Sequence, residues 1–98
     1  MNERTALVLF LFAVINFTQN VKPILDAHCV ECHSAGSTLD LSHFPFACAT
    51  TSDQRTIVDK MLSLAGTDSP QMPPGNRPKL SVAEVGTLRH WREEGLAP

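Results

Sequence analysis

The apolar positions of this chain change spacing several times, and each change marks an element. Ala6 to Phe17, ALVLFLFAVINF, is a block of twelve residues of which eleven are apolar and none is charged. It is too short to cross a bilayer as a straight helix, which takes about 20 apolar residues. Its length is that of a signal-peptide core behind a short leading region, MNERT. INFTQN lacks a small-x-small cleavage pattern, however, and Glu3 offsets the charge of Arg4. Residues 1–18 are read as a candidate signal peptide or N-terminal anchor, with a buried N-terminal helix as the other use of the pattern.

Beyond that block the spacing becomes helical. Val21, Ile24, Leu25 and Val30 predict a helix from Val21 to about Cys32, with Pro23 in the first turn, where a missing N–H costs nothing. Residues 34–51 read as a loop, polar and then aromatic, in which Gly36 and Pro45 oppose a long helix. Thr51 and Gln54 have capping-box spacing, and Ile57, Val58, Met61, Leu62 and Ala65 follow on one face until Gly66. From Thr67 to Leu80 the chain carries Pro70, Pro73, Pro74 and Pro78, an extended loop. Ser81 and Glu84 form a second box, ahead of the stripe Val82, Val85, Leu88 and Trp91 and a stop at Gly95. No strand is predicted. Residues 19–98 are expected to form one all-α domain of three main helices and proline-rich loops.

Size and charge narrow this picture. The chain has 98 residues and a formal net charge of -2, and its eight Lys and Arg are scattered, which argues against a nucleic-acid partner. If a leader were removed, the roughly 80 remaining residues would seldom hold together on an apolar core alone. Five Phe and one Trp supply the large side chains. A staple, metal or cofactor is expected in the middle.

CVECH, residues 29 to 33, is where such a group would attach. Shuffling this composition yields C-x-x-C-H in only about 0.3% of sequences. Cysteines at i and i+3 of a helical turn share a face, where they can form thioethers with the two vinyl groups of one haem. Cys29 and Cys32 are thus the candidate attachment points of a single haem c, and His33 its proximal iron ligand. A zinc knuckle would want four ligands, and Cys48 is the only other cysteine. A thioredoxin-like redox pair would follow a strand, and no strand pattern precedes Cys29.

A second axial ligand is expected at Met72, 39 residues after His33 in SPQMPPGNRPKLS. Its thioether is a neutral, soft ligand that favours ferrous iron, and Pro73 and Pro74 keep the loop from coiling into a helix. His43, His90 and Met61 are the alternatives, with Met61 better explained as core. His28 is read as a surface residue, His90 as lying on the outer side of the last helix, and Cys48 as a buried small apolar residue.

Taken together, VKPILDAHCVECH, LDLSHFPF, MPPGNRPKLS and EVGTLRHWREEG resemble a small class I c-type cytochrome, and are most similar to the bacterial planctomycete-type cytochrome c domain. The resemblance covers about residues 20–97, and its haem motif is the most specific part. It implies a fold wrapped around one covalently attached haem, with the first and last helices crossing beside it. On this resemblance Cys29 and Cys32 match the thioether positions, His33 the proximal ligand and Met72 the distal one. Trp91 matches an aromatic packed near the haem edge, and Pro45 a proline whose carbonyl orients the proximal ring. Arg92 departs from the pattern, which tends to have an apolar residue there.

The expected protein is a monohaem single-electron carrier with His/Met ligation, exported to the periplasm and serving redox protein partners, with no substrate chemistry of its own. Membrane association is expected only through residues 6–17. Two other readings stand beside it. One is a haem-based gas or redox sensor, which needs a displaceable Met72; the other is the electron-transfer domain of a larger periplasmic oxidoreductase.

Overall fold

The structure, a computed structural model, describes residues 15–98. Residues 1–14, and with them most of the candidate leader and anchor, lie outside the described residues. Asn16 opens the first helical element: its side chain accepts the Gln19 N–H at 2.8 Å. A π-helical turn, Phe17–Val21, runs directly into α1, Lys22–His28, with Pro23 in the first turn. Phe17, Val21, Ile24 and Leu25 are buried on one side of this continuous element. The helix thus begins before the predicted Val21 and ends before Cys32. Past His28 the chain continues as turns.

Two short strands, β1 (Leu39–Asp40) and β2 (Ala47–Cys48), pair antiparallel with Leu39 opposite Cys48 and Asp40 opposite Ala47. No strand had been predicted, because two residues are too few to show an alternating pattern. Ser42 donates from both its backbone N–H and its hydroxyl to Asp40 Oδ1, at 2.9 and 2.6 Å, and so turns the chain after β1.

The next helix, α2 (Gln54–Ala65), is capped by Asp53, whose side chain accepts the Arg55 N–H. The Thr51–Gln54 box does not form. Gln54 instead brackets the backbone of Phe46, accepting its N–H at 2.7 Å and donating to its carbonyl at 3.0 Å. Ile57 and Val58 are buried, and Met61, Leu62 and Ala65 half-buried. Gly66 stops the helix as expected, for a steric reason. A β-carbon there would meet the Leu62 carbonyl at 2.9 Å and Arg89 and Val85 side-chain atoms at 3.2 Å.

The last helix, α3 (Val82–Glu93), carries the predicted capping box of Ser81 and Glu84 in full. Its buried side is Leu88 and Trp91; Val85 is half-buried and Val82 is 91% exposed, so the apolar stripe is narrower than its sequence pattern. Gly95, at φ 105°, turns the chain so that Leu96 folds back into the core and its N–H meets the Trp91 carbonyl at 3.0 Å.

An aromatic cluster joins the two ends of the chain. Phe17, Phe44, Phe46 and Trp91 pack with ring centroids 5.1–6.1 Å apart. Such pairs add about 0.5–1.5 kcal/mol each beyond the area they bury. Trp91 is fully buried, and its indole N–H donates to the Ala97 carbonyl at 2.8 Å. Arg92, the departure noted above, reaches from α3 to Asp59 on α2 with two hydrogen bonds of 2.8 and 3.2 Å. The domain is mostly helical, with three α-helices and one small sheet among the described residues. No helix there is long and apolar enough to cross a membrane.

Candidate functional site

Beside this core lies a cavity of about 480 Å³ with almost wholly apolar walls. Its wall is drawn from the end of α1, both strands, α2, the proline loop and Leu88 of α3. Cys29, Cys32, His33 and Met72 all line it. The predicted site residues, 43 positions apart at their extremes, are therefore brought to one space.

The CVECH segment is shaped by its own backbone. The N–H groups of Cys32 and His33 both donate to the Cys29 carbonyl, at 3.1 and 2.9 Å, which makes a single helical turn after α1 has ended. That turn keeps the two cysteines on one face, as the i, i+3 spacing requires. The Leu41 N–H donates to the His33 carbonyl at 2.8 Å and ties the turn to the start of the aromatic loop. All three cysteines are free thiols. Burial in the apolar wall, then the neighbouring Cys32 and Glu84, push the Cys29 thiol up to about 11. It is held in its neutral form.

The Met72 loop is fixed to α2. The Gln71 and Met72 N–H groups converge on the Leu64 carbonyl at 2.8 and 3.1 Å, using an acceptor that the helix end leaves open. The Lys79 ammonium reaches back to the Pro73 carbonyl, and more distantly to that of Gly75 at 3.4 Å. Pro73 is buried, whereas the Met72 side chain lines the cavity while 36% exposed. Of the alternative distal ligands, Met61 shares the cavity; His43 and His90 are exposed and do not line it.

Three expectations are corrected here. The Pro45 carbonyl accepts from His43 Nδ1 at 3.1 Å rather than from His33, and Pro45 is exposed and absent from the cavity wall. Its two neighbours, Phe44 and Phe46, are drawn into the aromatic cluster. Trp91 belongs to that same cluster and does not line the cavity; Leu88, one turn earlier, does. His28 is partly buried rather than free on the surface. Its side chain is 13% exposed, with Nδ1 3.2 Å from the Pro78 carbonyl and Nε2 3.1 Å from Glu84 Oε1.

Cys48, expected to be buried, is half-buried at the cavity wall with Sγ 3.3 Å from Thr50 Oγ1. That contact holds its thiol below the ordinary value. Lys60 also reaches the wall, from α2. No sequence signal pointed to either arrangement. Among the described residues, no three His, Cys, Asp or Glu side chains converge to hold a metal ion by themselves. Comparison with protein-family models, curated proteins and solved structures finds no match to this chain.

Proposed function

We propose that this protein is a monohaem c-type cytochrome that carries single electrons. The observation that supports it is one apolar cavity whose wall contains both thiols of CVECH, the adjacent imidazole and the thioether of the proline loop. Its volume suits a compact organic cofactor, for which pockets of about 300–1,000 Å³ are usual. The residues fit haem in kind as well. Cys29 and Cys32 would hold it through thioethers, and His33 and Met72 would be its axial ligands.

Haem would supply the one-electron redox change. The chain's own residues would exclude water with the apolar wall, hold the His33 turn through the Cys29 carbonyl, and hold the Met72 loop through the Leu64 carbonyl. The neutral Cys29 thiol argues against a catalytic redox disulfide, whose attacking cysteine is normally acidified. On this reading the protein works in the periplasm with redox protein partners; the apolar run from residue 6 would serve as export signal or anchor, and its last residue, Phe17, belongs to the folded core.

The test is purification from a host that matures c-type haem, followed by intact-mass and absorption measurements. One covalent haem per chain and a low-spin ferrous spectrum are expected. A chain without covalent haem would overturn the proposal. A high-spin ferrous protein that binds carbon monoxide readily would favour the sensor reading instead, because Met72 would then not occupy the iron.

A further inference from the structure

The proline-rich loop that carries Met72 has few backbone donors, since Pro70, Pro73, Pro74 and Pro78 lack an N–H. Its entry is secured by the two hydrogen bonds from Gln71 and Met72 to the Leu64 carbonyl. The Lys79 contacts to Pro73 and Gly75 close the loop on itself and do not fix it to the rest of the fold. The exit is held from elsewhere, by a side chain next to the haem-attachment turn.

That side chain is His28, one residue before Cys29. Nδ1–H donates to the Pro78 carbonyl at 3.2 Å, and Nε2 lies 3.1 and 3.2 Å from the two Glu84 oxygens. Both ring nitrogens face acceptors, an arrangement satisfied in full only when the imidazole donates from both. Glu84 is itself fixed, because its carboxylate also accepts the Ser81 N–H at 2.8 Å within the capping box of α3. One imidazole thus links three segments: the end of α1, the end of the Met72 loop and the first turn of α3. A second bridge, Glu31 to Arg77, joins the same two loops, but both its side chains are largely exposed. Exposed pairs of that kind contribute little.

We propose that His28 is a positioning residue that ties the Met72 loop to the attachment turn and so keeps the Met72 sulfur on the iron. The inference rests on the cytochrome reading given above. His28 need not touch the iron to act. With the loop fixed at both ends the sulfur has little freedom to withdraw; with the exit released, the Leu64 carbonyl, the exposed Glu31–Arg77 pair and a Met72–iron bond would be left to restrain it.

The experiment uses the full chain carrying haem, as wild type, His28→Phe, His28→Asn and Glu31→Ala. Phe keeps the ring volume but offers no N–H, and the Asn amide places an N–H near the position of Nδ1. The readouts are the denaturant midpoint for loss of the long-wavelength methionine-to-iron charge-transfer band, the midpoint for global unfolding from Trp91 fluorescence, and carbon monoxide uptake by the reduced protein. In His28→Phe the band should disappear well before global unfolding, with carbon monoxide uptake raised at least about tenfold, the order expected for a lost hydrogen-bonded tether. His28→Asn should recover most of the wild-type behaviour, and Glu31→Ala should match wild type. If His28→Phe loses the band only together with the fold, or Asn does no better than Phe, the inference is wrong and the cytochrome reading is untouched. If wild type itself lacks the band or takes up carbon monoxide readily, Met72 is not the ligand, and both the ligand assignment and this inference fall.

Discussion

The backbone N–H of Phe17 donates to the carbonyl of Ala97 at 2.9 Å, so the two ends of the described chain are hydrogen-bonded to each other. Thr18 repeats the contact one residue on, with its N–H and hydroxyl both on the Pro98 carbonyl at 3.2 and 3.0 Å. Phe17 is also buried among Phe44, Phe46 and Trp91. Removing its ring leaves a cavity beside a fully buried tryptophan. Phe17→Ala should therefore destabilise the domain by about 3–5 kcal/mol. A chain starting at Gln19 should lose at least as much as Phe17→Ala relative to one starting at Ile15. Urea melts of the three would decide it, and equal midpoints would show that Phe17 is dispensable.

The proposed haem attachment can be tested chemically. Acid–acetone extraction should leave haem on the wild-type chain, because thioethers survive it. The Cys29→Ser, Cys32→Ser double variant should release its haem completely. Complete release from wild type would rule out covalent attachment.

The two methionines at the cavity offer a sharper contrast, since Met61 and Met72 both line it. If the cytochrome reading holds, Met72→Ala should abolish the methionine-to-iron band, admit carbon monoxide and lower the reduction potential, because a soft ligand favouring ferrous iron would be lost. Met61→Leu should keep the band and cost less than about 1.5 kcal/mol, as a volume-conserving swap. The reverse pattern would move the ligand assignment from the loop to α2.

Acid should weaken the fold through Glu84. The Ser81 N–H first, and His28 after it, hold this carboxyl below its ordinary value of 4.5. A carboxyl whose folded value is depressed contributes stability that is complete above its unfolded pKa and is lost as pH falls through the folded value. Stability should thus decline as pH drops below about 4.5. Glu84→Gln should lower stability at neutral pH and flatten that decline, measured as unfolding free energy against pH. An unchanged slope would mean that Glu84 is not linked to folding.

How much of this was legible depended on the range of the interaction. Ser81 and Glu84 are three residues apart and satisfy each other, so their pattern sufficed to locate the start of α3. Thr51 and Gln54 have the same spacing, yet Gln54 is taken by the backbone of Phe46, eight residues earlier, and the cap falls to Asp53. CVECH and Met72 stood out because their residue types are rare and chemically specific. Their convergence on one cavity depended on the tertiary fold. His28 carried no local signal, as its partners lie 50 and 56 residues away. Pro45 misled because the resemblance says nothing of its neighbours: Phe44 and Phe46 pack into the aromatic cluster, and the Pro45 carbonyl meets His43 instead of His33.

The high pKa of Cys29 bears on how such a chain would survive before it is loaded. Thiol–disulfide exchange proceeds through the thiolate. With burial pushing its pKa up to about 11, Cys29 is thiolate at pH 7 far more rarely than an unperturbed cysteine, of which a few per cent is ionised. An oxidising compartment would close a freely reactive Cys-x-x-Cys pair and leave no sulfur for a vinyl group. On the cytochrome reading, the wall that would enclose the haem would also slow Cys29 as an attacking thiolate, and so favour keeping that sulfur reduced until attachment.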